Sequence, residues 1–137
     1  MIFVYTSAWY ARYTPRDPYH EAAKAFHFDT RERLVTTDYV IDETLTLFKA
    51  RGNFARALFL GRRLFAGTLA ELVWIGESDV QAAWRIFEQF RDKEWSFTDC
   101  VSYAVINRLK IKQAFAFDEH FTQFGIVDVV PHSLSKQ

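Results

Sequence analysis

Three acidic residues that lie far apart in the sequence have the chemistry of a metal site. Glu43, Asp99 and Asp118 each fall where a predicted strand ends or in the first turns of a predicted helix. Clustered carboxylates repel one another unless a cation compensates their charge or some of them become protonated. Their hard oxygen ligands favour Mg²⁺ or Mn²⁺, which activate water and stabilise a leaving oxygen in phosphodiester hydrolysis. The chain shows no His-rich or Cys-rich ligand spacing, which argues against zinc.

A fourth position, Tyr5, ends a short apolar run where the rest of the sequence argues for another carboxylate. A phenol has a reference pKa of about 10, so it is neutral at pH 7 and is a poor, bulky metal ligand. We therefore expect reduced metal affinity. Hydroxyls near the predicted site could orient a ligand or a metal-bound water, although such hydroxyls more often satisfy the ends of strands and helices. They belong to Thr6, Ser7 and Thr98.

Alternating strands and helices are expected to position these residues. Strands are predicted at 2–4, 34–37, 71–75, 114–117 and 126–130. One helix is predicted to begin at Pro18 with Asp17 as cap, and two more are predicted from Asp38 to Gly52 and over 53–66. A further helix is predicted to begin with a capping box at Ser78 and Gln81, and another to run from Ser96 through Leu109. The segment 119–124 is predicted to form a short helix or a turn. This order is typical of an α/β domain with a central, mostly parallel five-stranded sheet and helices on both faces.

The carboxyl ends of parallel strands are where open α/β sheets bind ligands. Tyr5 and Asp118 are predicted at such ends. Glu43 falls in the early turns of the helix after the second strand, and Asp99 opens a helix near the same edge. The four positions are therefore expected to converge on one pocket.

Length and composition indicate a single domain over 1–137. The hydrophobic fraction of 50% and the aromatic fraction of 18% exceed what one small core needs, which favours a dimer or a tight complex. Lys plus Arg equal Asp plus Glu at 17 each, so any contact with nucleic acid must use a local patch. The single cysteine, Cys100, and the lack of a signal-like start or a long apolar segment predict a soluble, cytoplasmic protein with no membrane span.

Two further groups of side chains leave alternatives open. The first is basic, and its members could contact phosphates or simply form a solvated face: Arg12, Arg16, Lys49, Arg51, Arg56, Arg62 and Arg63. The second is aromatic, and its members could stack on bases, pack against a partner or pack in the core: Trp9, Tyr10 and Tyr13. The four histidines show no metal spacing, and Cys100 is interpreted as a buried apolar residue.

Four segments resemble the acidic motifs of a known family. MIFVYTSAWYA, VIDETLTL, SFTDCVSYAV and AFAFDEHF look like those of the PIN domain, and especially of its VapC-like ribonuclease toxins. The similarity covers nearly the whole chain. In that family the first motif normally ends its strand with aspartate, so Tyr5 departs from the pattern, whereas Glu43, Asp99 and Asp118 match it.

The resemblance implies Mg²⁺- or Mn²⁺-dependent cleavage of RNA, of the transfer or ribosomal class, by a homodimer that a cognate antitoxin inhibits. With Tyr5 in place of aspartate, the resemblance implies a weakened or inactive form of the enzyme. Two origins remain open: a substitution introduced or selected to inactivate a growth-inhibiting toxin, or natural loss of catalysis with binding retained. A non-catalytic PIN-fold module that dimerises and binds a partner protein or RNA is the alternative. Taken singly, Asp99 and Asp118 also have structural interpretations, as a helix cap and a turn residue.

Overall fold

A parallel sheet forms the centre of the computed structural model, which describes residues 1–132. Its strands are β1 (Ile2–Val4), β2 (Leu34–Thr37), β3 (Glu71–Val73), β4 (Gln113–Phe115) and β5 (Asp128–Val130). The order is β3-β2-β1-β4-β5, and every neighbouring pair is parallel. The predicted five-stranded α/β architecture is confirmed. Residues 133–137 of the predicted domain lie outside the described part.

Helices cover both faces of this sheet. They are α1 (Thr6–Arg12), α2 (His20–Asp29), α3 (Asp38–Ala50), α4 (Phe54–Phe65), α5 (Glu77–Gln89), α6 (Phe97–Leu109) and α7 (Glu119–Phe124). Every residue of β1 and β2 is buried. Because successive side chains of a strand point to opposite faces, this burial requires cover on both sides. Within residues 1–132, no helix is both long and apolar enough to cross a membrane.

The helix α1 was not predicted from the sequence. It starts directly after Tyr5, whose side chain makes no capping hydrogen bond, so the usual signal of a helix start is missing. Tertiary packing holds it instead, because Trp9 is buried and its indole N–H donates to Thr36 Oγ1 at 3.4 Å. The aromatic residues after the first strand therefore belong partly to the core.

Two predicted helix starts are wrong. The helix α2 begins at His20, and Asp17 instead accepts a hydrogen bond from the Tyr19 backbone N–H at 2.8 Å in the preceding turn. The helix α5 begins at Glu77 after Gly76, which makes no side-chain cap. Ser78 therefore lies inside the helix rather than at its cap, and the predicted capping box with Gln81 is absent. The Gln81 amide donates instead to the Glu77 carboxylate at 3.3 Å.

Three strands are shorter than predicted: the chain leaves the sheet early after β3 and β4, and it enters the sheet late at β5. After β3, the Ile75 backbone N–H donates to Asp38 Oδ1 at 2.8 Å. After β4, the Phe117 backbone N–H donates to Ser7 Oγ at 2.9 Å. The strand β5 begins at Asp128, two residues later than predicted. Side-chain acceptors thus replace ladder hydrogen bonds near the carboxyl ends of β3 and β4.

An ion pair between α5 and α6 supports the helix that carries Asp99. Arg108 donates from Nε and an NH2 group to the two carboxylate oxygens of Asp79 at 2.8 and 2.9 Å. The Asp79 side chain is 7% exposed and that of Arg108 is 46% exposed. Loss of the guanidinium leaves a buried carboxylate without its charged partner.

We expect Arg108→Met to lower the free energy of unfolding by about 1–2 kcal/mol, less than for a fully buried pair because solvent screens the exposed arginine. Urea denaturation followed by circular dichroism measures this change. In Arg108→Met/Asp79→Asn the buried charge is also removed, and part of the loss should return. A double variant less stable than Arg108→Met alone would contradict this account.

Candidate active site

A cleft of about 280 Å³ lies at the carboxyl end of β1 and β4. Tyr5 follows β1 directly, and Asp118 lies just after β4 as the cap of α7. Glu43 comes from the second turn of α3, and Asp99 from the first turn of α6. The complete lining is Tyr5, Thr6, Ser7, Glu43, Leu47, Ser96, Asp99, Asp118 and His120. The structure thus brings the four residues singled out by the sequence into one cleft.

The Tyr5 side chain fills one part of this cleft with a neutral group. It is 4% exposed, and its ring centroid lies 4.4 Å from that of Phe121. Its hydroxyl donates a hydrogen bond to Asp99 Oδ1. Burial, together with the negative charges of Asp99 and Glu43, raises the pKa of Tyr5 far above its ordinary value. The phenol therefore keeps its proton and contributes no charge to the acidic cluster.

The Asp99 carboxylate is buried and held by several donors. Ser96 and Asp99 form a reciprocal capping box, in which the Ser96 backbone N–H donates to Asp99 Oδ2 at 2.9 Å. The same oxygen lies 2.8 Å from His120 Nδ1. The capping role that the sequence offered as an alternative is therefore present. It also fixes the carboxylate at the cleft.

Asp118 and His120 complete a compact group of possible ligands. Oxygen atoms of Asp99 and Asp118 and a ring nitrogen of His120 all lie within 4.8 Å of one another. The Asp118 carboxylate also accepts from the Phe121 backbone N–H at 3.4 Å, so the turn role is present as well. Sequence reasoning assigned His120 no part in the site. The one feature of the sequence that could have placed His120 in the site is its position two residues after Asp118.

Burial, and secondly the charge of Asp99, raise the pKa of Asp118 from 3.8 to about 6. A raised pKa means that the folded protein binds this proton more tightly than the unfolded chain does. The protonated Asp118 therefore adds to the free energy of unfolding in full below about pH 4, and this contribution is lost as the pH rises through about 6. We expect metal-free Asp118→Asn, which carries no such charge, to gain stability relative to the unsubstituted chain over this interval. Urea denaturation of both proteins at several pH values measures the difference. A difference that does not change with pH would refute the assignment.

The three hydroxyls predicted near the site behave differently from one another. Thr6 Oγ1 donates to Glu43 Oε1 at 2.5 Å, so it orients the half-buried glutamate. Ser7 Oγ accepts from the Phe117 backbone N–H and ties α1 to the segment before Asp118. Thr98 does not line the cleft. Two of the three hydroxyls therefore support the acidic residues.

Cys100 follows Asp99 but faces the core. Burial, and secondly the Asp99 charge, raise its pKa to about 11, so the thiol stays protonated near neutral pH. Its environment is that of a small apolar residue rather than a nucleophile.

The donor set fits a divalent cation. Two carboxylates and an imidazole approach one another, and Glu43 is held at the same cleft by Thr6. Carboxylate oxygens suit Mg²⁺ and Mn²⁺, whereas an imidazole extends the choice to softer ions and so weakens the sequence argument against zinc. The Tyr5 phenol is at odds with a cation, since it adds bulk without charge next to Asp99.

The PIN domain family matches residues 2–127. The chain belongs to the PIN-domain family. Its PIN relatives include the 23S rRNA-specific endonuclease VapC20 of Mycobacterium tuberculosis, which is 31% identical over 131 residues, or 96% of this chain and 99% of that protein. A VapC ribonuclease of Archaeoglobus fulgidus is 27% identical over 122 residues, or 85% of this chain and 76% of that protein.

Two solved structures resemble this fold. The crystal structure of Mycobacterium tuberculosis VapC20, described as a sarcin-ricin loop cleaving toxin, has a TM-score of 0.88 at 30% identity and covers 96% of this chain and 100% of that one. FitAcB from Neisseria gonorrhoeae has a TM-score of 0.70, covering 96% and 97%, and at 16% identity it supports the fold alone. The predicted membership in a nuclease family with VapC-type relatives is confirmed.

Proposed function

We propose that this chain is a VapC-like PIN endoribonuclease whose active site is disabled by Tyr5. The observation that carries the proposal is the position of the phenol hydroxyl, which hydrogen-bonds Asp99 inside the acidic cleft. Three carboxylates and an imidazole line the same cleft as this hydroxyl. The other acidic residues stay poised for metal binding, while the place expected for the fourth carboxylate holds a neutral ring.

The proposed roles follow from the contacts of each side chain. Asp99, Asp118 and His120 would hold Mg²⁺ or Mn²⁺, with Glu43 as a further acidic ligand oriented by Thr6. When bound, the cation would supply charge to the scissile phosphate and lower the pKa of a water molecule. The contact with the Ser96 backbone fixes the Asp99 carboxylate and so limits its rearrangement.

The proposed substrate is RNA of the ribosomal class, with transfer RNA as the second choice. VapC20, a 23S rRNA-specific endonuclease, supports this choice because it aligns along almost the full length of both chains. By the same relationship we propose a homodimer in the cytoplasm and a cognate antitoxin protein. The direct test is whether Tyr5→Asp cleaves purified ribosomal or transfer RNA when Mn²⁺ is added. If Tyr5→Asp bound Mn²⁺ but cleaved neither ribosomal nor transfer RNA, the proposal would be overturned.

A non-catalytic binding module is the second candidate, and the packing of Tyr5 favours it. The ring is buried and lies against Phe121, and the hydroxyl has a partner, so tyrosine fits this position well. A binding module predicts that the unsubstituted chain and Tyr5→Asp bind the same partner and that neither cleaves RNA. A disabled toxin predicts growth arrest on expression of Tyr5→Asp, together with an adjacent antitoxin gene.

A further inference from the structure

Positive charge is concentrated in one part of a chain whose formal net charge is zero. Residues 44–70 contain no aspartate or glutamate, and their basic residues are Lys49, Arg51, Arg56, Arg62 and Arg63. The fold places this segment at the end of α3 and along α4. Within residues 1–132, none of these five side chains forms an ion pair with a carboxylate. The positive charge there is thus not neutralised by direct pairing.

Aromatic rings hold several of these guanidiniums in place. Arg56 and Arg63 lie over the Phe59 ring, with guanidinium carbons 5.4 and 3.7 Å from its centroid. The Phe59 centroid lies 6.0 Å from that of Tyr13, and Arg12 lies 4.8 Å over the Tyr13 ring. Cation–π contacts limit the freedom of the arginines. Arg12 also donates from Nε to His27 Nδ1 at 2.9 Å, and Arg63 donates from an NH2 group to the Phe59 carbonyl at 3.2 Å, which leaves each guanidinium further N–H groups for a ligand. This part of the molecule is therefore organised before any ligand binds.

The same surface continues to the acidic cleft along two helices. Arg51 lies 4.8 Å over the ring of Tyr10, and Tyr10 is one helical turn beyond the cleft residue Thr6. On α3, Glu43 and Leu47 line the cleft, and Arg51 follows Leu47 by four residues. Eight residues of helix span about 12 Å. The arginines therefore begin about two turns from the acidic residues.

We propose that this surface binds the phosphate backbone of an RNA strand and directs it into the cleft. We call it the arginine–aromatic surface, and its members are Tyr10, Arg12, Tyr13, Arg51, Arg56, Phe59 and Arg63. Guanidiniums recognise phosphate through paired N–H groups, and the rings beneath them hold the arginines in place. The identity of the ligand as RNA rests on the proposed function. Charge complementarity fits both an RNA strand and an acidic protein segment, and continuity with the cleft favours the RNA strand.

The test compares two triple variants that remove the same charge. The surface variant is Arg51→Gln/Arg56→Gln/Arg63→Gln, and the control variant is Arg85→Gln/Arg91→Gln/Lys112→Gln, which changes exposed cations outside α3 and α4. Fluorescence anisotropy with a labelled RNA stem–loop, without divalent metal, gives Kd over a range of salt concentrations. The Kd of the surface variant should rise at least about tenfold, and the slope of log Kd against log salt concentration should fall by about two to three. The Kd of the control variant should change less than about twofold. Circular dichroism melting verifies that both variants fold.

Equal weakening of both triple variants would mean that net charge alone attracts RNA, and the proposal would fail. It would fail as well if polyglutamate of matched charge competed as effectively as unlabelled RNA, because the surface would then suit an acidic protein partner. The measurement needs no cleavage. If Tyr5→Asp bound RNA through this surface but did not cleave it, the proposed function would fail and the surface assignment would stand. If Tyr5→Asp cleaved RNA while the surface variant bound RNA with an unchanged Kd, the proposed function would stand and the surface assignment would fail.

Discussion

Tyr5→Asp should raise metal-dependent RNA cleavage by at least about 10- to 100-fold, because loss of even an indirect partner of a metal ligand typically costs that much. The substitution replaces a neutral phenol beside Asp99 with a carboxylate at the end of β1. It also removes the bulk of the ring from the cleft. Gel analysis of ribosomal and transfer RNA incubated with Mn²⁺ or Mg²⁺ measures the change.

Tyr5→Asn is the matched control, since asparagine has the size of aspartate without its charge. It should remain close to the unsubstituted chain if the carboxylate is what restores cleavage. Equal activity in Tyr5→Asn and Tyr5→Asp would show that the ring merely blocks the cleft. Metal-independent cleavage by Tyr5→Asp would exclude the acidic site as its source.

The same substitution should destabilise the metal-free protein. Tyr5 is 4% exposed and packs against Phe121, and aspartate would remove this contact and add a charge beside Asp99 and Asp118. We expect a loss of about 3 kcal/mol, which corresponds to a melting temperature about 10 °C lower for a domain of this size. Mn²⁺ at about 100 times its Kd should return about 2.7 kcal/mol, because binding stabilises only the folded state.

Thermal denaturation with and without Mn²⁺ measures both parts of this expectation. The unsubstituted chain should respond less to Mn²⁺, since its cleft lacks the fourth carboxylate. Tyr5→Asn should lose the ring contact but gain little from the ion. If Mn²⁺ stabilised Tyr5→Asn as strongly as Tyr5→Asp, the added charge would have no part in metal binding.

The sequence predicted the central part of the fold because its signals there are local. Apolar runs mark β1 and β2, and Ser96 caps α6 as predicted, with Asp99 in its first turn. The convergence of Glu43 with the other acidic residues followed from one rule, that parallel strands present their carboxyl ends at the same edge of the sheet. Local patterns and one topological rule were sufficient for these positions.

The remainder depended on contacts between distant residues. No capping side chain marks α1, which is held by packing around Trp9, and the predicted start of α5 at Ser78 competed with an earlier start at Glu77. His120 joins the cleft only because α7 turns it toward Asp99. The hydrogen bond between Tyr5 and Asp99 joins residues 94 positions apart, so no pattern of sequence spacing could predict it.

The fit of Tyr5 has a consequence at the level of the gene. Both tyrosine codons become aspartate codons when their first base changes from U to G. Because the Tyr5 ring packs in the core and its hydroxyl is hydrogen-bonded to Asp99, the protein folds with tyrosine at this position. Selection against unfolded protein would therefore not remove a gene that encodes tyrosine here. If the proposed function holds, a folded chain without cleavage activity can therefore persist while remaining a single point mutation away from the full acidic set.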